Sequence, residues 1–335
     1  MTGQRVVRTV LGDLDPGGLG AVDYHEHLFQ VTPLLPGDEL DDEAASTQEA
    51  GSLKESGADA MVEATPTGLG QRPSAVARVS AATGLAIVHT TGAHREPHYA
   101  AGHPLLDESV DGLRRRFLHD LRTGLAESDG SPATAPDGGP VRAGLLKAGI
   151  GYWSVSPFER RVIAAVGESA AETGAPVMVH LEHGSAGHEV LDLLAGHGCP
   201  ADRVALAHAD RNPDPGLHLE LIARGALLGY DGAARHARVP DSVLVDCLAR
   251  VVADGGAQGV LLGGDVARRS RYLAYGGMPG LRYLFVRFLP RVRAAVGAAA
   301  VRRMLVGNPA RWLAWSPRDT GADDATDTTD DAAAG

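Results

Sequence analysis

Short apolar runs alternate along the chain with longer stretches of helical spacing, and the alternation recurs eight times. The apolar runs lie in "GAVDYHEHL", "ADAMVEATP", "GLAIVHTTGAH", "VRAGLLKAGI", "APVMVHLEH", "RVALAHAD", "ALLGYDG" and "GVLLGGDVA". Between them come Ala-, Leu- and Arg-rich segments such as "PFERRVIAAVGESAAETG" and "GHEVLDLLAGHG". In the first of these, Phe158, Val162, Ile163 and Val166 fall at three- and four-residue steps on one helical face. Gly174 stands where a helix C-terminus favours glycine. Near-continuous apolar strands separated by helices predict parallel strands covered on both faces. Eight such units predict a closed (β/α)8 TIM barrel. The alternative, an open doubly wound sheet, would carry a Gly-rich dinucleotide fingerprint after its first strand, and the first strand here is not followed by one.

Composition fits one large domain. The chain has 335 residues, 44% hydrophobic and 22% charged, a length common for a single barrel. The barrel is expected over 1–315. The stretch "SDGSPATAPDGGP", 128–140, reads as a loop excursion before the fourth strand. Residues 316–335 hold six Asp and one Arg and read as an acidic disordered tail. The net charge of −11, without any basic block, argues against nucleic acid as a partner. No stretch reaches the ~20 apolar residues of a membrane helix, and the N-terminus lacks a signal peptide's apolar core. Two cysteines, Cys199 and Cys247, suit a reducing compartment, so a cytoplasmic location is expected.

Chemistry concentrates at the ends of the strands. His25 and His27 lie two apart on the first strand, on one face and about 7 Å apart along it, near enough to converge on one ion. His180, His208 and Asp265 each end a later apolar strand. In a barrel the C-terminal strand ends form the active-site mouth, so all five residues are expected to face one place. Tyr24 and Glu26 alternate with the two histidines and are expected to face the helix layer. Glu182 and His183 are expected to point away from the mouth, His89 to pack inside its strand, and His119, His197 and His218 to be solvated on helices.

Lys147 is the informative cation. Only two of 31 basic residues are lysine, and this one sits in the apolar run "GLLKAGI". Burying a charged lysine is costly, but an amine, unlike a guanidinium, can lose its proton and act as a nucleophile. It could form a Schiff base with a carbonyl substrate, or take up carbon dioxide to give a carbamate able to bridge two metal ions. The neighbouring histidines favour the carbamate.

These residues, taken with their surroundings, resemble the phosphotriesterase family of the amidohydrolase superfamily, over about residues 8–314. The likeness lies in "RTVLGDLDPGGLGAVDYHEHLF", "LLKAG", "TGAPVMVHLEHG", "ALAHADRNPD", "LLGGDVARRS" and "GNPARWL". The family contains binuclear-metal (β/α)8 hydrolases, among them phosphotriesterase-like lactonases. The resemblance implies that His25 and His27 bind the more buried metal and that carboxylated Lys147 bridges both. It implies that His180 and His208 bind the more exposed metal. Asp265 would bind the buried metal and shuttle a proton, with a metal-bridging hydroxide as nucleophile. Imidazole and carboxylate ligands suit Zn2+, with Mn2+, Co2+ and Fe2+ also compatible.

The loops after strands three, seven and eight set the substrate expectation. They carry His94, Tyr99, Arg235, Arg238, Arg268, Arg269, Arg271 and Tyr272. Of these, Arg268, Tyr272, Arg235, His94 and Tyr99 are the expected substrate-binding groups. Guanidinium clusters suit phosphate or carboxylate, or else they solvate the rim. Family members with a similar last loop act on sugar lactones bearing a phosphate; here Arg271 replaces a common tyrosine and Ala237 stands where a lysine occurs. The expected activity is lactonase, on a small-molecule substrate, in a chain that could be a homodimer. Organophosphate triesterase, carboxylic esterase, Schiff-base lyase and non-catalytic binding are the competing readings.

Overall fold

A computed structural model describes residues 5–315, so the acidic segment 316–335 lies outside the described residues. A small hairpin, β1 (Val7–Thr9) and β2 (Gly12–Leu14), precedes the barrel. Eight parallel strands follow: β3 (Val22–Glu26), β4 (Ala60–Glu63), β5 (Ala86–Gly92), β6 (Leu145–Ile150), β7 (Val177–Leu181), β8 (Val204–Ala207), β9 (Leu227–Tyr230) and β10 (Val260–Leu262). Each pairs with the next in sequence order. The last meets the first where Asp265 N donates to His25 O at 2.8 Å. All eight apolar runs of the sequence contain a barrel strand.

The strands divide the core in two. Val22, Val62, Val88, Leu145, Met178 and Leu261 fill the barrel interior. Their neighbours, such as Met61, Leu146, Val179, Leu206 and Leu228, face the helices. The helices sit where the spacing placed them. The long one, Pro157–Thr173, starts at a capping box between Ser156 and Glu159 and ends at Gly174 with φ +76°. A cap of this kind contributes about 1 kcal/mol, and the αL end suits glycine because it has no Cβ to clash. The 128–140 excursion stays irregular, held by the isolated pairings Ala126–Pro132 and Thr134–Pro140.

Tyr24 corrects the simple alternation rule. It lies in the barrel interior, fully buried, not against the helix layer. The register between β3 and β4 shifts between Asp23 and Glu26, so β3 carries one extra residue. Such a bulge lets both Tyr24 and His25 turn inward. The ring also needs room: a Cβ at Gly229 would fall within 1.7 Å of the Tyr24 hydroxyl, and one at Gly263 within 2.8 Å of its ring. Glu26 is fully buried, its carboxylate accepting from Val266 N at 2.8 Å.

Candidate metal centre

His25, His27, Lys147, His180, His208 and Asp265 come together at the C-terminal strand ends, all nearly or fully buried. Lys147 is on β6, flanked in register by Gly92 and Met178. His208 and Asp265 both take left-handed backbone, φ +67° and +47°. On β8, Ala205 and Ala207 face the interior, so the next residue would ordinarily face the helices. The kink at His208 overrides that and brings the imidazole into the mouth. Positive φ in a residue other than glycine costs roughly 1–2 kcal/mol and persists where the surroundings over-determine it.

Each of the four imidazoles has one nitrogen held from behind. His25 Nδ1 and His208 Nδ1 donate to the two oxygens of Asp231 at 3.0 and 2.6 Å. His180 Nε2 donates to Glu182 Oε2 at 3.0 Å. His27 Nδ1 lies 2.7 Å from Thr65 Oγ1. The opposite nitrogens then converge. His25 Nε2 and His27 Nε2 both lie 3.6 Å from Asp265 Oδ1. Lys147 Nζ is 3.5 Å from His25 Nε2 and donates to Ala64 O at 2.8 Å. His208 Nε2 faces His180 Nδ1 at 2.8 Å. His25, His208 and Asp265 alone offer three ligand atoms within 4.8 Å of one another.

The electrostatics favour cation binding. Burial pulls His27 to about 3 and His208 to about 4, so both rings are neutral with a free lone pair. Burial also pulls Lys147 to about 8, which leaves part of the amine uncharged near neutrality. Burial pushes the Asp265 carboxyl up, but Arg235 and then the nearby histidines outweigh it and hold it well below its ordinary value. Arg211 Nη2 donates to Asp265 Oδ2 at 3.0 Å, and Arg235 bonds the same oxygen. Orphan lone pairs and a carboxylate facing one point, each oriented from behind, are a donor set that fits divalent metal.

The centre floors a cavity of about 590 Å³. Its walls include His94, Arg95, His98, Glu182, Arg211, Arg235, Arg238, Arg268 and Arg271. Several sequence expectations need correction here. Tyr272 is fully buried and its hydroxyl donates to His27 O, so it supports the strand end and does not line the cavity. Tyr99 is also outside it, its hydroxyl bridging His94 N and Thr67 O while its ring packs on Phe158. Arg268 lines the rim but is half exposed and lies 3.4 Å from Asp38. His94 and Arg235 do line the cavity, with His94 stacked on His98 at 3.6 Å. Glu182 and His183 line the cavity after all, because the strand ends at Leu181 and the turn Glu182–Gly184 carries both toward the mouth. His218 is buried, bonded to Tyr230 and Ala209, and so is not solvated. Asp231 was missed, although "LLGYD" ends its strand as "LLGGD" ends the last one.

The fold and donor set define a metal-dependent barrel hydrolase, and comparison with known proteins agrees. A profile of the phosphotriesterase family matches residues 5–313. The chain belongs to the phosphotriesterase family, and it is an enzyme that hydrolyses ester bonds. A phospho-furanose lactonase of Mycoplasmopsis synoviae is 27% identical, covering 94% of this chain and 93% of that protein. The crystal structure of a lactonase from Listeria monocytogenes superposes with a TM-score of 0.82 at 28% identity, covering 92% of this chain and 98% of the other. A phosphotriesterase homology protein from Escherichia coli, solved with phosphate in its active site, gives 0.79 at 27%, covering 90% and 100%.

Proposed function

We propose that the protein is a binuclear metal-dependent lactonase whose substrate is a lactone bearing an anionic group. One observation carries this: five convergent donor residues, with Lys147 buried beside them, floor a cavity walled by Arg95, Arg211, Arg235, Arg238, Arg268 and Arg271. In this reading His25, His27 and Asp265 hold the inner cation and His180 and His208 the outer. Lys147, as its carbamate, would bridge them, which the partly neutral amine allows. Zn2+ suits the set best. Two such cations supply an activated water and polarise the ester oxygen.

The chain's own residues do the rest. Asp265 is the carboxylate placed to take the proton from the attacking water. Arg211 and Arg235 hold its Oδ2, leaving Oδ1 toward the histidines. The wall guanidiniums bind and orient the substrate's anion through charge-assisted hydrogen bonds. Neutral organophosphate triesters want an apolar pocket, and this one offers only a few aliphatic groups, such as Leu34, Leu35 and Val239. The relatives described above as lactonases, and the one holding phosphate, support the same substrate class. The buried, unpaired thiols of Cys199 and Cys247 suit a reducing, cytoplasmic setting.

The test is a panel of charged lactones, neutral lactones, carboxylic esters and phosphotriesters on metal-loaded protein. Anionic lactones should give the highest kcat/KM. A preference for neutral triesters would overturn the reading.

A further inference from the structure

We propose that Glu182, held by Arg95, is a positioning residue that fixes the tautomer and aim of His180 and so governs occupancy of the outer cation position. This rests on the binuclear reading above.

The side chains show how. β7 ends at Leu181 and turns at once through Glu182–Gly184, where His183 takes φ +56°. Glu182 Oε2 receives His180 Nε2–H at 3.0 Å and pairs with Arg95 Nη2 at 3.0 Å. A carboxylate only accepts, so the ring proton is fixed on Nε2 and the lone pair on Nδ1. That lone pair faces His208 Nε2 at 2.8 Å. His94 and His98 touch the His180 ring, at centroid distances of 4.6 and 6.5 Å, but neither hydrogen-bonds it. Among the described residues Glu182 is therefore the carboxylate that sets this ring.

Arg95 reaches Glu182 by crossing the end of β6 at Gly149. A Cβ there would sit 3.2–3.3 Å from Arg95 N and Cγ and 3.3 Å from His180 Cβ. The glycine thus admits the arginine and the histidine to one spot. Arg95 Nε is buried with no partner, so the Glu182 pair is what holds its head.

The four supports are unequal. Asp231 and Thr65, behind His25, His27 and His208, are fully buried, while the Glu182 side chain is 19% exposed. Water competes for Glu182 and not for the others. The outer position is accordingly the one with a ligand, His180, whose support is solvent-reachable, while its other ligand, His208, rests on buried Asp231.

The experiment is Zn2+ titration of chelator-stripped protein against a fluorescent chelator, with thermal melting of the stripped proteins in parallel. Wild type should take two ions. Glu182→Ala should lose about 10–100-fold in affinity at one site only, the range for removing a ligand's supporting partner. Glu182→Gln should keep most of the affinity, because its carbonyl still accepts Nε2–H. Arg95→Leu should lose less than Glu182→Ala. All stripped variants should melt with wild type. Two ions held by Glu182→Ala at wild-type affinity, equal loss at both sites, or Gln no better than Ala would overturn the role. A wild type that takes no divalent ion would instead overturn the metal reading, and this role with it.

Discussion

His180 Nδ1 and His208 Nε2 face each other at 2.8 Å, and each ring has committed its other nitrogen to a carboxylate. Two lone pairs at that distance repel unless a proton or a cation lies between them. Stripping metal should therefore lower the melting temperature, and adding Zn2+ should restore it. At free Zn2+ a hundredfold above Kd the gain is about 2.7 kcal/mol. Calorimetry of stripped and reloaded protein checks this. A melting temperature indifferent to Zn2+ would remove the metal from the site.

Lys147 is fully buried, with its amine drawn down to about 8. The metal-loaded protein should carry one carbon dioxide on this side chain, visible as a carbamate signal with labelled bicarbonate in carbon NMR. Lys147→Ala should lose most activity and regain part of it with added short carboxylic acids. Lys147→Arg should be as inactive as Ala, because a guanidinium does not form the carbamate.

Asp265 faces the histidines, and the proposed lactonase uses it to move a proton. Asp265→Asn should keep the fold and lower kcat by roughly 10²–10⁴-fold. Metal content measured alongside separates lost chemistry from lost ion. Near-normal turnover with both ions bound would remove Asp265 from proton transfer.

Arg271 and Arg268 should differ. Arg271 lines the cavity partly buried, while Arg268 is half exposed and pairs with Asp38. A charge-assisted bond is worth about 1.5–3 kcal/mol, so Arg271→Ala should raise KM for an anionic lactone by about 10–100-fold. Arg268→Ala should change it little, and neither should affect a neutral lactone. Equal effects on charged and neutral lactones would show that the arginines only shape the rim.

Asp120 supplies a pH prediction away from the centre. Burial raises its pKa to about 7 from 3.8, against a hydrogen bond from Thr91. The unfolded chain releases this proton near pH 4 and the folded chain near 7, so its contribution to stability falls as pH rises between them. Asp120→Asn should match wild type near pH 4 and be more stable at pH 8, by up to about 4 kcal/mol. Urea melts at the two pH values measure it. A gain of the same size at both would show that charge is not the cause.

The sequence by itself determined the barrel and the six residues that meet at its mouth. A strand end is a local event, written as an apolar run followed by a turn, and in a parallel barrel every such end must meet at one face. His180 in "VMVHL" and Asp265 in "LLGGD" could therefore be assigned to the mouth without knowing any distance. What period-two alternation could not supply was the consequence of its own interruptions. The extra residue in β3 let His25 face inward as well as Tyr24, and the left-handed backbone at His208 turned that ring into the mouth. Nor could strand position tell which polar groups touch the cavity. Tyr272 and Tyr99 spend their hydroxyls on backbone atoms, Asp231 holds two histidines from behind, and Glu182 holds His180 while lining the cavity. Apart from the Glu182–His180 bond, two positions apart, those choices depend on contacts between residues tens to hundreds of positions apart, which only the closed barrel decides.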